Sequence, residues 1–196
     1  MKRVLVWYMH PDPHSFNRAI LDTYVDACKS HGLEVQVRMI KELQYSPHLE
    51  REEYEASLDK QYPAEIKEEH HWLRWADAVT LIFPLWWGSF PAAGKGFLDR
   101  VLSYGVAYEL NGETPVPKMN GKKAAVIYTT GTPPDVFRQS SQQRIEDTWK
   151  HEIFSFCGFE SLPFLHFGDV VQTTDEKRRH MLQQVRDYAK EQAAKL

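Results

Sequence analysis

The chain has 196 residues, 42% hydrophobic and 26% charged, with a net charge of −3. That balance suits one globular domain with a sizeable core; it gives no electrostatic footprint for nucleic acid and is far from the acidity of a small electron shuttle that docks by charge. No run approaches the roughly 18 apolar residues of a membrane span. The apolar stretch Val4 to Met9 is too short for a secretory leader, so a cytoplasmic protein is expected. Cys28 and Cys157 form no CxxC pair and sit beside apolar neighbours, which predicts buried free thiols in a reducing compartment.

Residues 2–9 read as a buried first strand. Phe16, Ile20, Leu21, Tyr24, Val25 and Cys28 then form a helical stripe that stops near Gly32. Val35, Val37 and Met39 alternate with polar residues, predicting a strand at 34–39 with one wetter face. Residues 41–65 are polar and tyrosine-rich, a long excursion with a short helix near 50–59. A helix at 65–76 leads into a third strand at 78–83. The glycines and prolines of 105–122 mark a loop or small hairpin. A fourth strand is predicted at 123–130. Ile145, Trp149, Ile153, Phe156 and Cys157 mark a helix, Phe164, Leu165, Phe167 and Val170 a fifth strand, and 175–193 a last helix. Five alternations of strand and helix predict an α/β fold with a parallel sheet covered on both faces, in the order 2-1-3-4-5.

Val79 to Asp99 (VTLIFPLWWGSFPAAGKGFLD) is the most informative stretch. An apolar run ends at Pro84, Trp86 and Trp87 follow in a loop, and Pro91 opens a helix that runs to about Ser103. Large aromatics therefore stand at the carboxyl end of a central strand, where open α/β sheets bind ligands. Each buried ring is worth up to ~4–6 kcal/mol. Trp86 and Trp87 are expected to pack on a cofactor, a partner subunit, or both. Backbone N–H groups from Leu85 to Gly88 could edge a flat heterocycle.

Two further strand ends carry chemistry. His10-Pro11-Asp12-Pro13-His14-Ser15-Phe16-Asn17 joins the first strand to the first helix, whose N-terminus suits a phosphate. Ser15, Asn17 and His10 add donors, while Asp12 is expected to point outward. Ser15 or Asn17 taken alone is also explained as a helix cap. At the end of the fourth strand, Gly131 in Thr129-Thr130-Gly131 lets the backbone approach a ligand closely, although Thr-Gly is also ordinary turn chemistry. GxGxxG after the first strand, GxxxxGK[ST] and GxSxG are all absent, which argues against a Rossmann dinucleotide site, an NTPase and a serine hydrolase. Gly94 and Gly96 suit close helix packing. His70-His71 is read as surface rather than metal-binding, and no metal site is expected. Glu50, Glu52, Glu53 and Glu55 read as a solvated helix face, and Tyr104 and Tyr108 as packing residues.

Taken together, HxxxxSxN after the first strand, FPLWW…P…KGFLDRV at the third and TTG at the fourth resemble the flavodoxin-like NAD(P)H:quinone oxidoreductases. That group includes DT-diaphorase and the bacterial ancillary proteins of glutathione-regulated potassium efflux. The resemblance runs from about residue 3 to 170, and GVAYELNG (105–112) and FCGFESLPFLHFGDV (156–170) look closer to the potassium-efflux branch. It implies a single flavodoxin-like flavin-binding domain over 1–196, a three-layer sandwich, and a homodimer with sites at its interface. FMN or FAD would be bound, FMN being favoured. His10, Ser15, Phe16 and Asn17 would hold its phosphate and ribityl end. Pro84, Leu85, Trp86, Trp87 and Gly88 would lie along the isoalloxazine, with Thr129, Thr130 and Gly131 on the other edge. NAD(P)H would pass hydride to flavin N5 and a quinone would then take two electrons. Trp87 would position the rings. Phe137 falls where the DT-diaphorase branch carries a tyrosine, that branch's downstream histidine is not evident, and Thr132 replaces a second glycine. These departures bear on hydride-transfer efficiency. Two other readings are a flavin-binding ancillary subunit of a potassium/proton antiporter, peripheral at the inner membrane, and a single-electron carrier, which the near-neutral charge and paired tryptophans disfavour.

Overall fold

A computed structural model describes residues 1–43 and 46–196. Three strands with consecutive buried residues form the centre of the sheet: β1 (Arg3–Tyr8), β3 (Ala78–Pro84) and β6 (Lys123–Thr129). Both faces of these strands meet helices, which is why their sequences are continuously apolar. β2 (Glu34–Met39) pairs with β1 at one edge. All pairings in this sheet are parallel, and its order is β2-β1-β3-β6.

The fifth position is shared by two short strands. β7 (Glu160–Ser161) pairs with the start of β6, and β8 (Leu165–Phe167) with its end. The sequence predicts one strand over Phe164 to Val170 instead. Pro163 lies in the gap and has no N–H to give to the ladder. Counting β7 and β8 as one strand gives the order 2-1-3-4-5. The antiparallel hairpin β4 (Tyr108–Asn111) and β5 (Thr114–Pro117) fills the predicted loop region.

Alternate side chains divide the core. Val4, Val6 and Tyr8 pack towards α1 (Phe16–Ser30) and α7 (Asp175–Lys195). Leu5, Trp7, Leu81 and Phe83 pack towards α3 (Ala64–Trp75) and α4 (Ala92–Val101). The first layer encloses a polar knot. Tyr24 on α1 bonds Thr80 on β3 at 2.8 Å and donates to Gln192 on α7, whose Nε2 donates to Thr80 at 3.2 Å. Every buried group in it has a partner, so it ties two helices to the sheet with little desolvation cost. Cys28 and Cys157 are buried free thiols, and burial pushes them up to about 11 and about 12.

The helix predicted around Ile145 begins earlier and is not uniform. α5 (Pro134–Phe137) and α6 (Gln143–Thr148) alternate with wide π turns at Arg138–Gln142 and Trp149–Ser155. The extra residue per π turn moves burial from Ile153 to Phe154, five positions after Trp149. Ordinary helical periodicity therefore points to the wrong neighbour here.

Of the excursion expected at 41–65, residues 44 and 45 lie outside the described residues; the part from 46 onward contains α2 (Arg51–Leu58) and meets α4 through Ser46, Pro47 and Glu53. Arg100 of α4, almost fully buried, takes both oxygens of Glu53 at 2.9 Å and the Ser46 carbonyl at 2.6 Å. Glu53 is thus a buried anchor, not part of a solvated face. Gly94 sits on Met9, where a Cβ would come within 2.5 Å of its sulfur, and Gly96 sits under the Pro47 carbonyl. His70 also departs from its surface reading. It is fully buried, its Nε2 lies 3.1 Å from both Val101 O and Ser103 Oγ, and its ring meets Tyr62 edge-on at 4.5 Å. Among the described residues no group of three metal-ligating side chains occurs, and no helix is long and apolar enough to cross a membrane.

A Cβ at Gly96 would collide with backbone, which cannot swing away as a side chain can. Gly96→Ala should therefore cost ~1–3 kcal/mol, a melting point lower by roughly 2–10 °C for a chain of this size. Differential scanning calorimetry measures it; an unchanged melting point would mean that the excursion does not rest on α4.

Candidate functional site

The registers of β1, β3 and β6 bring their carboxyl ends level. Tyr8 is opposite Ile82, and Pro84 is opposite Thr129. The loops after them enclose one cavity of about 710 Å³, within the range of ligand sites in proteins. It is lined by His10, Ser15, Phe16 and Asn17 from the first loop, Pro84, Leu85 and Trp86 from the second, and Thr129, Thr130 and Gly131 from the third. Of the residues expected from the sequence, Trp87, Gly88 and Phe137 are not on its wall.

In the first loop, His10 Nδ1 accepts the Asp12 N–H at 3.0 Å and Asp12 Oδ1 accepts the His14 N–H at 2.8 Å. Asp12 is exposed at the cavity rim, one carboxylate oxygen closing the local turn on His14. Partial burial lowers the His10 pKa, and with Nδ1 accepting, the neutral ring carries its proton on Nε2. Ser15 is the N-cap of α1, accepting the Arg18 N–H at 3.3 Å, and it also bonds the Tyr8 hydroxyl at 3.1 Å. The N–H groups of Phe16 and Asn17 have no partner among the described residues, which leaves the positive end of the helix available. Asn17 is not the cap. It is 4% exposed, its Nδ2 donates to Thr129 Oγ1 at 2.9 Å, and its Oδ1 is buried without a partner. Such an orphan costs ~1–3 kcal/mol unless a donor reaches it.

The second loop is a two-residue reversal. Trp86 N–H donates to Ser89 O at 3.1 Å and Ser89 N–H to Trp86 O at 3.0 Å, with φ of 53° at Trp87 and 73° at Gly88. Positive φ at both central residues is the type I′ pattern, which Asn-Gly ordinarily supplies. A tryptophan there is strained, and its ring is wholly exposed. Leu85 N–H is spent on Thr129 O at 2.8 Å and Trp86 N–H on the turn, so only the Trp87 and Gly88 N–H groups remain free among the described residues. Half-exposed Trp86 meets His10 edge-on at 6.0 Å. These two residues also border a second, apolar chamber of about 360 Å³, walled by Met9, Ile40, Leu43, Pro47 and Pro91.

In the third loop, Thr130 N–H donates to Phe167 O at 2.9 Å. A Cβ on Gly131 would meet no neighbour closer than Val171, at 3.5 Å, so packing within the fold does not demand glycine there. Phe137 is not a cavity residue. It is 5% exposed and lies against His166 at 4.7 Å and Tyr128 at 6.2 Å. Sequence reasoning missed Arg178. It projects from the first turn of α7 to the cavity, with Nε buried and unpartnered and the guanidinium 6.0 Å from the Phe16 ring. On a surface helix rich in charge, nothing in the sequence singles it out.

A family model described as a flavodoxin-like fold matches residues 2–191. The chain belongs to that family. A Haemophilus influenzae protein described as an uncharacterized NAD(P)H oxidoreductase is 32% identical to it, covering 91% of this chain and 90% of the relative. A rat ribosyldihydronicotinamide dehydrogenase [quinone] is 30% identical over 92% of this chain and 87% of the relative. Among solved structures, an NAD(P)H:quinone oxidoreductase from Methanothermobacter marburgensis superposes with a TM-score of 0.82 at 25% identity, covering 96% and 95% of the two chains. The flavodoxin-like fold accounts for the position of the cavity, which lies outside the carboxyl ends at the β1/β3 switch point of the sheet.

Two results are expected from this geometry. Trp87→Asn removes a ring that packs on nothing and places in the turn a residue that tolerates positive φ, so it should stabilise the isolated domain by ~0.5–1 kcal/mol in urea unfolding. A loss of stability would show that the ring is packed. The second concerns pH. Burial holds His70 and His166 at about 4, against 6.5 for a free imidazole. Between these values the unfolded chain binds more protons than the folded one, so stability is complete above pH 6.5 and falls as pH drops towards 4. The loss is up to ~3 kcal/mol for fully buried His70 and less for partly exposed His166. Urea melts at pH 7 and 4.5 measure it, and His70→Gln should flatten the slope.

Proposed function

We propose that this protein is a flavin-dependent NAD(P)H:quinone oxidoreductase. The observation that carries the reading is the single cavity at three adjacent strand ends, with buried polar atoms facing no partner. Asn17 Oδ1 is an acceptor suited to a ribityl hydroxyl. The free N–H groups at the start of α1, together with Ser15 and Arg178, suit the phosphate. Phe16, Pro84, Leu85 and Trp86 give an apolar wall for a flat ring system, and the unpartnered Trp87 and Gly88 N–H groups lie in the turn that follows it. FMN fits this set. The apolar chamber beyond His10 and Trp86 offers room for the adenine of FAD, so the mass of the cofactor released on denaturation decides between them.

The flavin, when bound, supplies two-electron hydride chemistry between a nicotinamide and a quinone. The protein's own residues bind and orient. Leu85, tied to Thr129, and the closed turn at Trp86–Ser89 hold the wall rigid. No side chain on the cavity wall is required as a general base. Trp87, exposed in the single chain, is assigned to the mouth of the site and to contact with a second copy, and a homodimer is the assembly we infer. Sedimentation velocity tests that assembly.

The purified protein should be yellow or take up FMN or FAD, and should oxidise NADH or NADPH with a benzoquinone as acceptor. Colourless protein that binds neither flavin would overturn the assignment. Asn17→Ala should weaken flavin binding tenfold or more while lowering stability without flavin by only ~1–2 kcal/mol. Equal melting-point losses with and without flavin would reduce Asn17 to a structural tie between α1 and β6.

A further inference from the structure

An imidazole reaches the Thr129–Gly131 wall from a distant part of the chain. His166 lies on β8, opposite Tyr128 in the parallel register with β6. Its ring stacks on Tyr128 at 4.8 Å and 29° and leans on Phe137 at 4.7 Å and 42°. Tyr128 is itself fixed, its hydroxyl donating to Glu146 at 2.5 Å. The imidazole therefore has little freedom to rotate. Its Nε2 lies 2.9 Å from Thr130 Oγ1, and Thr130 lines the cavity.

The proton count at Thr130 sets the direction of this bond. Thr130 Oγ1 donates its only proton to Thr132 O at 3.0 Å. With that proton committed, a neutral His166 ring completes the contact by donating from Nε2 to Thr130. Burial, with Arg138 adding repulsion, keeps the ring neutral in the ordinary pH range. One hydroxyl lone pair is then filled by His166 and one remains. A threonine hydroxyl normally both donates and accepts; here the donor capacity is spent.

We propose that His166 is a positioning residue of the candidate flavin site, acting through Thr130, whose hydroxyl it orients as an acceptor on the cavity wall. The group it would receive is a ring N–H, such as the imide of an isoalloxazine. The proposal rests on the flavin reading given above.

A double-mutant cycle on FMN affinity tests it, using Phe at His166 and Val at Thr130. His166→Phe keeps a ring between Tyr128 and Phe137 and removes only the donor. It should weaken FMN binding about tenfold, the effect of one well-placed hydrogen bond. Thr130→Val should do the same, and the double variant should be little worse than either, because both remove one linked contact. His166→Gln, which keeps an N–H donor, should recover part of the affinity. Melting points without FMN separate folding losses from losses at the site. In the wild-type protein, the histidine ring nitrogen shifts in NMR should show the Nε2–H form of His166, a measurement that needs no variant to fold. FMN affinity unchanged in His166→Phe, fully additive effects, or the Nδ1–H form would overturn the proposal while leaving the flavin reading intact. A wild-type protein that binds neither FMN nor FAD would overturn both.

Discussion

The candidate site depends on one residue at which three loops are tied together. Thr129 is 2% exposed at the last position of β6. Its carbonyl accepts the Leu85 N–H and its hydroxyl accepts from Asn17 Nδ2. The first bond carries the β3–β6 ladder one step past Pro84, which makes the tryptophan loop leave the sheet from a fixed point. The second holds the first turn of α1 against β6, across β3. A hydrogen bond to a buried group contributes only about 1 kcal/mol net. Its value here is geometric: without these two bonds the loops would share a sheet edge but not one wall.

The same arrangement explains what the sequence made legible. β1, β3 and β6 are buried on both faces, so their apolar runs have no competing reading, and the ligand-bearing ends follow from where those runs stop. Asn17, Pro84, Leu85, Trp86 and the Thr-Thr-Gly run could be named because they are next to those ends. What escaped has its cause far away in sequence. Glu53 reads as surface because its partner, Arg100, is 47 residues distant. His70 reads as surface because the groups that bury it come from α4 and the loop behind it. Arg178 reads as one charge among many on α7. Phe137 reads as a site residue from a resemblance in sequence alone, while the rings that pack around it, Tyr128 and His166, come from β6 and β8. In each case local pattern carries no information about the tertiary partner.

Trp87 illustrates a different limit. Its identity as a large aromatic is plain in the sequence, and burial is the default reading of such a ring. The fold instead holds it at positive φ in a turn that would accept Asn with less strain, and leaves the ring in water. Neither local stability nor core packing of the isolated chain accounts for that choice. A conformation that is unfavourable in both respects is retained where something outside the single chain meets the residue. That is the observation on which the proposed contact of Trp87 with a second copy rests.

The cavity is also graded from end to end. The α1 end presents unpaired backbone N–H groups, a helix dipole and Arg178. The turn end is apolar and aromatic, with two free N–H groups in the turn that follows it. The third wall, through Thr130, presents an acceptor. A ligand satisfying all three must be anionic at one end, flat and apolar along its body, and able both to accept and to donate at its far edge. A bare phosphate leaves the aromatic wall uncovered, and a neutral quinone leaves the helix end unpaired. A ring system carrying a phosphate on a hydroxylated chain meets the three requirements together, which is why the flavin assignment rests on the cavity as a whole rather than on the tryptophans alone.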